Sequence, residues 1–201
     1  MEKPIPVDEA VVWDTSLTIV SKTDLFGTIE YINDVFAEVS GYTEPELVGQ
    51  PHNIIRHPDM PKVIFKTMWD HIKKGYKFHG IIKNLAKSGK HYWVITDFDY
   101  IVDDNAKIQK YIARRKAISD DVVKKIEALY KKLSDIEAVS GIEASEKYLV
   151  GYLEDINLSY VDMITKLMLD DAKSKDFETA TSDVEKENVK KGFFSKFFGH
   201  N

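Results

Sequence analysis

FHGIIKNLAKSGKHYWVITDFDYIVDDNAKIQKYIARRK, residues 78–116, carries the strongest strand pattern in the chain. Three runs, Phe78–Leu85, His91–Val102 and Lys107–Lys116, are separated by Lys87-Ser88-Gly89 and by Asp103-Asp104-Asn105. Both separators are turn-forming clusters, so the stretch predicts three consecutive strands. Upstream, Leu17, Ile19 and Ser21 alternate with polar neighbours between Ser16 and Asp24, and Thr28–Ile32 alternates again beyond the turn chemistry of Asp24-Leu25-Phe26-Gly27. That pattern predicts a hairpin with one face buried.

Between hairpin and triplet the spacing turns helical. Asn33 is placed to cap a short helix carrying Val35, Phe36 and Val39, which ends near Gly41. Thr43 with Glu46 is a capping-box signature for another short helix. From Pro61, a good first helical residue, Val63, Ile64, Met68, Trp69 and Ile72 recur at helical spacing until Lys73-Lys74-Gly75. Two strands, short helices, one longer helix and three strands describe an α+β domain over residues 16–116, with helices on one face of a five-stranded antiparallel sheet.

After Lys116 the pattern is helical throughout. Val122, Ile126, Leu129, Leu133 and Ile136 are spaced four and three apart, as are Leu149, Leu153, Ile156, Tyr160, Met163 and Leu167. A break at Ser140-Gly141 makes residues 117–172 a helical hairpin, with one continuous kinked helix as the alternative. A homodimer of hairpins would be a four-helix bundle. Residues 1–15 are an N-terminal segment, 173–189 a polar linker, and 190–201 a tail. In the tail Phe193, Phe194, Phe197 and Phe198 form one aromatic face among Lys190, Lys191 and Lys196. Such an end can dock on a partner groove, settle on an anionic membrane surface, or fold back on the chain.

Composition sets the limits. With 201 residues, 43% of them hydrophobic, the chain has enough for one buried core and an appendage. A net charge of -5 gives no global reason to bind nucleic acid. There are no cysteines, which excludes disulfides, thiolate metal sites and cysteine nucleophiles. Residues 1–8 lack the basic and apolar regions of a signal peptide. Charges interrupt every apolar run, so no membrane span is expected and the location expected is cytoplasmic.

The chemistry concentrates in GQPHNIIRHPDMP, residues 49–61, where three prolines stiffen a loop holding two histidines, an arginine, an aspartate and an asparagine. Arg56 offers a planar fork to a phosphate or a carbonyl edge, and His57 and Asp59 can orient one another or meet polar ligand atoms. The alternative is a connector whose polar groups cap the next helix, with Asp59 favoured near its N-terminus. A metal site from His52, His57 and Asp59 has no fixed ligand geometry on such a loop. His71, on the long helix, is the one histidine addressed as an axial haem ligand. No phosphate-binding glycine loop and no nucleophile elbow is present, so no enzyme is expected.

The segment Ser40-Gly41-Tyr42-Thr43 through Pro61, followed by Met68-Trp69, Lys83-Asn84 and His91-Tyr92-Trp93-Val94, resembles the PAS domain of the bacterial aerotaxis receptor and its relatives. The resemblance implies a five-stranded PAS fold and a non-covalently bound FAD that reports redox state to the chemotaxis machinery. It implies that Arg56, His57 and Asp59 lie at the flavin site with Trp69 beside it, and that His52, Asn33 and Asn84 are polar positions near the pocket. The membrane anchor and signalling coiled coil of the full receptor are not found in this sequence. It is more similar to the soluble PAS subunit of bipartite energy-taxis systems, which implies a membrane-bound methyl-accepting transducer on another chain. A cofactor-free dimerisation module and a haem gas sensor are the alternatives.

Overall fold

The computed structural model describes residues 3–175. Strands β1 (Ile19–Thr23) and β2 (Ile29–Ile32) are followed by helices α1 (Asp34–Ser40) and α2 (Glu44–Leu47), a 3-10 turn at His52–Ile55, and helix α3 (Lys62–Ile72). Strands β3 (Phe78–Leu85), β4 (His91–Val102) and β5 (Ile108–Ala117) complete an antiparallel sheet of order β2-β1-β5-β4-β3. This is the expected α+β architecture, a five-stranded antiparallel sheet with flanking helices.

Local chemistry sets the element ends. Asn33 Oδ1 accepts the Phe36 and Val20 amides at 3.1 and 2.9 Å, capping α1 and tying it to β1. Gly41, at φ 71°, closes the same helix with its N–H on Ala37 O. The Thr43–Glu46 capping box forms. The first strand begins at Ile19 rather than Ser16, because Asp14 takes the Ser16 amide and hydroxyl at 3.0 and 2.7 Å. That local turn outcompetes the ladder.

Residues 7–11 add to the sheet's end, where the Val7 and Val11 amides reach Gly89 O and His91 O at 2.9 and 2.8 Å. Gly89, at φ 86°, has no room for a side chain there. A Cβ would lie 2.3 Å from the Ile5 carbonyl oxygen.

Helix α4 (Asp120–Asp155) is interrupted at Gly141, whose φ 81° and ψ 175° are open to glycine alone. Ser145 Oγ donates to Leu133 O at 3.2 Å. In one straight helix those residues would stand about 18 Å apart, so the two arms fold back on each other as a hairpin. The seam residues Val122, Ile126, Leu129 and Leu133 are buried within the chain's own packing. The first arm also closes the free edge of β3. Tyr130 Oη donates to Ile81 O at 2.7 Å, while Lys83 N donates to Met60 Sδ at 3.2 Å.

Residues 160–175 are helical, and those from Thr165 onward belong to a second unit. Most of the expected linker, from residue 176, and the whole aromatic tail lie outside the described residues. Among the described residues, no helix is long and apolar enough to cross a membrane.

Candidate functional site

Side chains alternate across a strand, so one face of the sheet gathers every second residue. Ser21 and Thr23 on β1, Ile82 and Asn84 on β3, Thr96 and Phe98 on β4, and Tyr111, Ala113 and Arg115 on β5 line a cavity of about 180 Å³. Pro51, His52, Asn53 and Arg56, with the inner side of α3, Phe65, Met68, Trp69 and Ile72, form the opposite wall.

The polar end of this cavity is built around Arg115, which is 2% exposed. Both of its terminal nitrogens donate to Ser21 Oγ at 3.1 Å, and Nη2 donates to His52 Nε2 at 2.8 Å. A guanidinium only donates, so His52 Nε2 accepts and the ring proton sits on Nδ1. Burial, with the Arg115 charge adding to it, holds the His52 pKa down to about 3. Burial also brings Arg115 down to about 10. Phe36 lies beneath both, its ring 5.4 Å from the guanidinium carbon and 5.8 Å from the imidazole.

A second arginine, Arg56, lies flat on Phe65 at 3.7 Å. Among the described residues, no aspartate or glutamate lines the cavity. Three buried side-chain atoms on its wall have no hydrogen-bond partner among the described residues: Arg56 Nε, Asn84 Nδ2 and Thr96 Oγ1. Each unsatisfied buried group costs about 1–3 kcal/mol. Their collection on one cavity is the signature of a polar guest. Trp69 stands edge-on to Tyr111 at 5.6 Å, and Gly27, at φ 86°, passes so close that its Cβ would lie 3.2 Å from the indole. Phe26, 89% exposed, joins Trp69, Lys66 and Lys73 around an adjoining open groove.

Of the residues singled out in the sequence, Arg56, His52, Trp69 and Asn84 line the cavity. His57, Asp59 and Asn33 do not. Arg56 bridges Asn84 in extended backbone, so its neighbour His57 turns to the other side of β3. There His57 Nδ1 accepts the Asp59 amide at 3.2 Å, and Asp59 pairs with Lys83 Nζ at 2.8 Å. Asn33 is spent on the α1 cap and on Thr18 O, to which its Nδ2 donates at 2.8 Å. His71 bonds the Thr67 carbonyl at 2.8 Å and faces Phe78, outside the cavity. Ser21, Thr96 and Arg115 also line the cavity, on β1, β4 and β5. Strand alternation was their only sequence signal.

His57, which is buried, and His52, which is half-buried, have a pH consequence. Burial, then the Lys83 charge, holds His57 at about 4, below its ordinary 6.5, as burial does for His52. Below pH 6.5 the unfolded chain takes protons that the folded chain refuses, so stability falls from about pH 6.5 towards pH 4. Urea midpoints measured at pH 7 and pH 5 are expected to differ, with pH 5 lower. Equal midpoints would contradict the neutral state of these rings.

The family model described as the PAS fold matches residues 29–114. Over 117 residues the chain is 47% identical to the aerotaxis receptor of Escherichia coli, covering 58% of this chain and 23% of that protein. It is 26% identical over 100 residues to the nitrogen fixation regulatory protein of Klebsiella pneumoniae, covering 50% of this chain and 20% of the relative. The chain thus spans less than a quarter of either relative. A solved light-oxygen-voltage domain, studied with a flavin analogue, superposes with a TM-score of 0.52 at 16% identity, covering 59% of this chain and 90% of that one. That likeness shows the shared fold. The chain therefore carries a PAS domain of the aerotaxis-receptor type.

Proposed function

We propose that the cavity holds the ring system of FAD and that the chain is a sensor, not an enzyme, which signals by contact to a membrane-bound methyl-accepting chemotaxis transducer on a separate chain. The supporting observation is the set of orphaned polar atoms, Arg56 Nε, Asn84 Nδ2 and Thr96 Oγ1, around a cavity with two arginines and, among the described residues, no acid. A flavin ring edge offers carbonyl and ring-nitrogen acceptors to such donors. When bound, the flavin supplies reversible electron uptake, which changes the charge and hydrogen bonding of its ring. Asn84 and Thr96 would hold the polar edge of the ring, Trp69 and Phe26 flank the opening, and Arg115 presents a fixed positive charge to it.

The likeness to the aerotaxis receptor, the relative named above, supports the taxis role, and a cytoplasmic location is part of the same proposal. Haem fits less well. Among the described residues His52 is the one histidine on the cavity wall, and its Nε2 is already engaged by Arg115 and Ser21. Homodimerisation belongs to the same reading, through surfaces other than the buried seam of the first helical arm.

Unfolding the purified protein and separating the released small molecules tests the ligand. Stoichiometric FAD is expected. No release, together with no uptake of added FAD by the folded protein, would sink the assignment.

A further inference from the structure

Helix α3 walls the cavity with one side, yet it lacks a cap of its own. Pro61, at the N-cap position, has no side-chain acceptor. The cap comes from Glu137, whose two carboxylate oxygens take the Lys62 and Val63 amides at 2.8 Å each. This contact joins residues 74 and 75 positions apart in the chain. Ser134 Oγ donates to Asp59 O at 2.9 Å, and Lys66 on α3 reaches Glu146 at 2.6 Å.

The hairpin therefore has two parts of different character. Its base is apolar, with Val122, Ile126, Leu129, Tyr130 and Leu133 buried. From residue 134 to residue 144, no residue is buried, and Val139 is 87% exposed. The hydrogen bonds and ion pair that tie the tip to α3 and to the segment before it come from partly exposed side chains, Ser134, Glu137 and Glu146. Exposed polar contacts open far more readily than a packed seam.

We propose that the hairpin tip is a latch that opens and closes on the N-terminus of α3, with Glu137 as its catch, while the base stays docked. Closed, the carboxylate ties down the segment that leads into Phe65, Met68 and Trp69 on the cavity wall. Open, it frees the first turn of α3. Any ligand that favours one arrangement of α3 must shift the latch by the same factor as the latch shifts the ligand's affinity. The proposal concerns how the domain signals and does not depend on which ligand the cavity takes.

The test uses the full chain without ligand, as native protein and as Glu137→Ala and Glu137→Gln. Amide exchange is followed at Lys62 and Val63, and a spin-label distance is measured between cysteines placed at Val139 and Val102. The chain has no cysteine to interfere. In Glu137→Ala, exchange at the two amides is expected to rise at least tenfold and the distance distribution to broaden, with Val122–Leu133 still protected. Glu137→Gln, which keeps one acceptor, should fall between. Unchanged exchange and distance would overturn the latch. So would a loss of protection across the sheet and the hairpin base together, since the tip would then not be separable. FAD content, measured independently, decides the ligand reading and leaves this result standing.

Discussion

Replacing Arg115 with methionine is expected to make the ligand-free protein more stable and to abolish ligand retention. Arg115 is a buried cation whose hydrogen-bond partners, Ser21 Oγ, His52 Nε2 and the Ala113 carbonyl, are all neutral. Desolvating such a charge costs several kcal/mol, and hydrogen bonds to neutral groups offset only part of it. Methionine removes that cost and keeps most of the volume. Ser21 and His52, 3.2 Å apart, can still satisfy each other. A gain of about 1–3 kcal/mol in the ligand-free state is expected, within the range seen when buried charges are replaced by apolar side chains. A ligand that places negative or acceptor atoms against the guanidinium should lose about 2–5 kcal/mol of binding, well over tenfold. Urea denaturation reads the first effect and a flavin titration the second. A variant that is less stable and binds normally would show that the arginine is structural.

The largest loss of stability is expected at Phe36. Its ring is fully buried beneath Arg115 and His52. Truncation to alanine should cost about 3–5 kcal/mol through lost burial and the cavity left behind. That is a large part of the 5–15 kcal/mol by which a domain is typically stable. The same change also removes the platform that orients the two cationic-end side chains, so surviving protein should bind ligand more weakly. Phe26→Ala is the control. At 89% exposure its stability should move by about 0.5 kcal/mol or less. Equal losses at the two positions would contradict the burial that separates them.

These contrasts show which parts of the molecule were legible in the chain. Asn33, Gly41 and the Thr43–Glu46 pair act within a few residues, so the helix ends they set could be read locally. The turns at Lys87-Ser88-Gly89 and Asp103-Asp104-Asn105 fixed the triplet of strands for the same reason. The site was legible only in part, since it depends on which side of a strand each residue faces. Arg56 and His57 are adjacent and chemically alike as ligand candidates, yet the extended backbone turns one into the cavity and the other to Asp59. Arg115 sits in Arg114-Arg115-Lys116, where residue type alone does not say which cation faces inward. Register with β1 and β4 carries the Arg115 side chain inward. The Glu137 cap and the strand-like pairing of residues 7–11 are long-range bonds with no local pattern to announce them.

The cavity, its orphaned donors and its buried cation support the proposal that this PAS domain holds a reducible, polar heterocycle. The visible absorption spectrum of the purified full chain, recorded before and after dithionite, tests it most directly. The two-banded absorption of an oxidised flavin, bleaching on reduction and returning in air, is the expected result. A colourless protein that takes up no added flavin, or one showing a haem Soret band, would contradict the account.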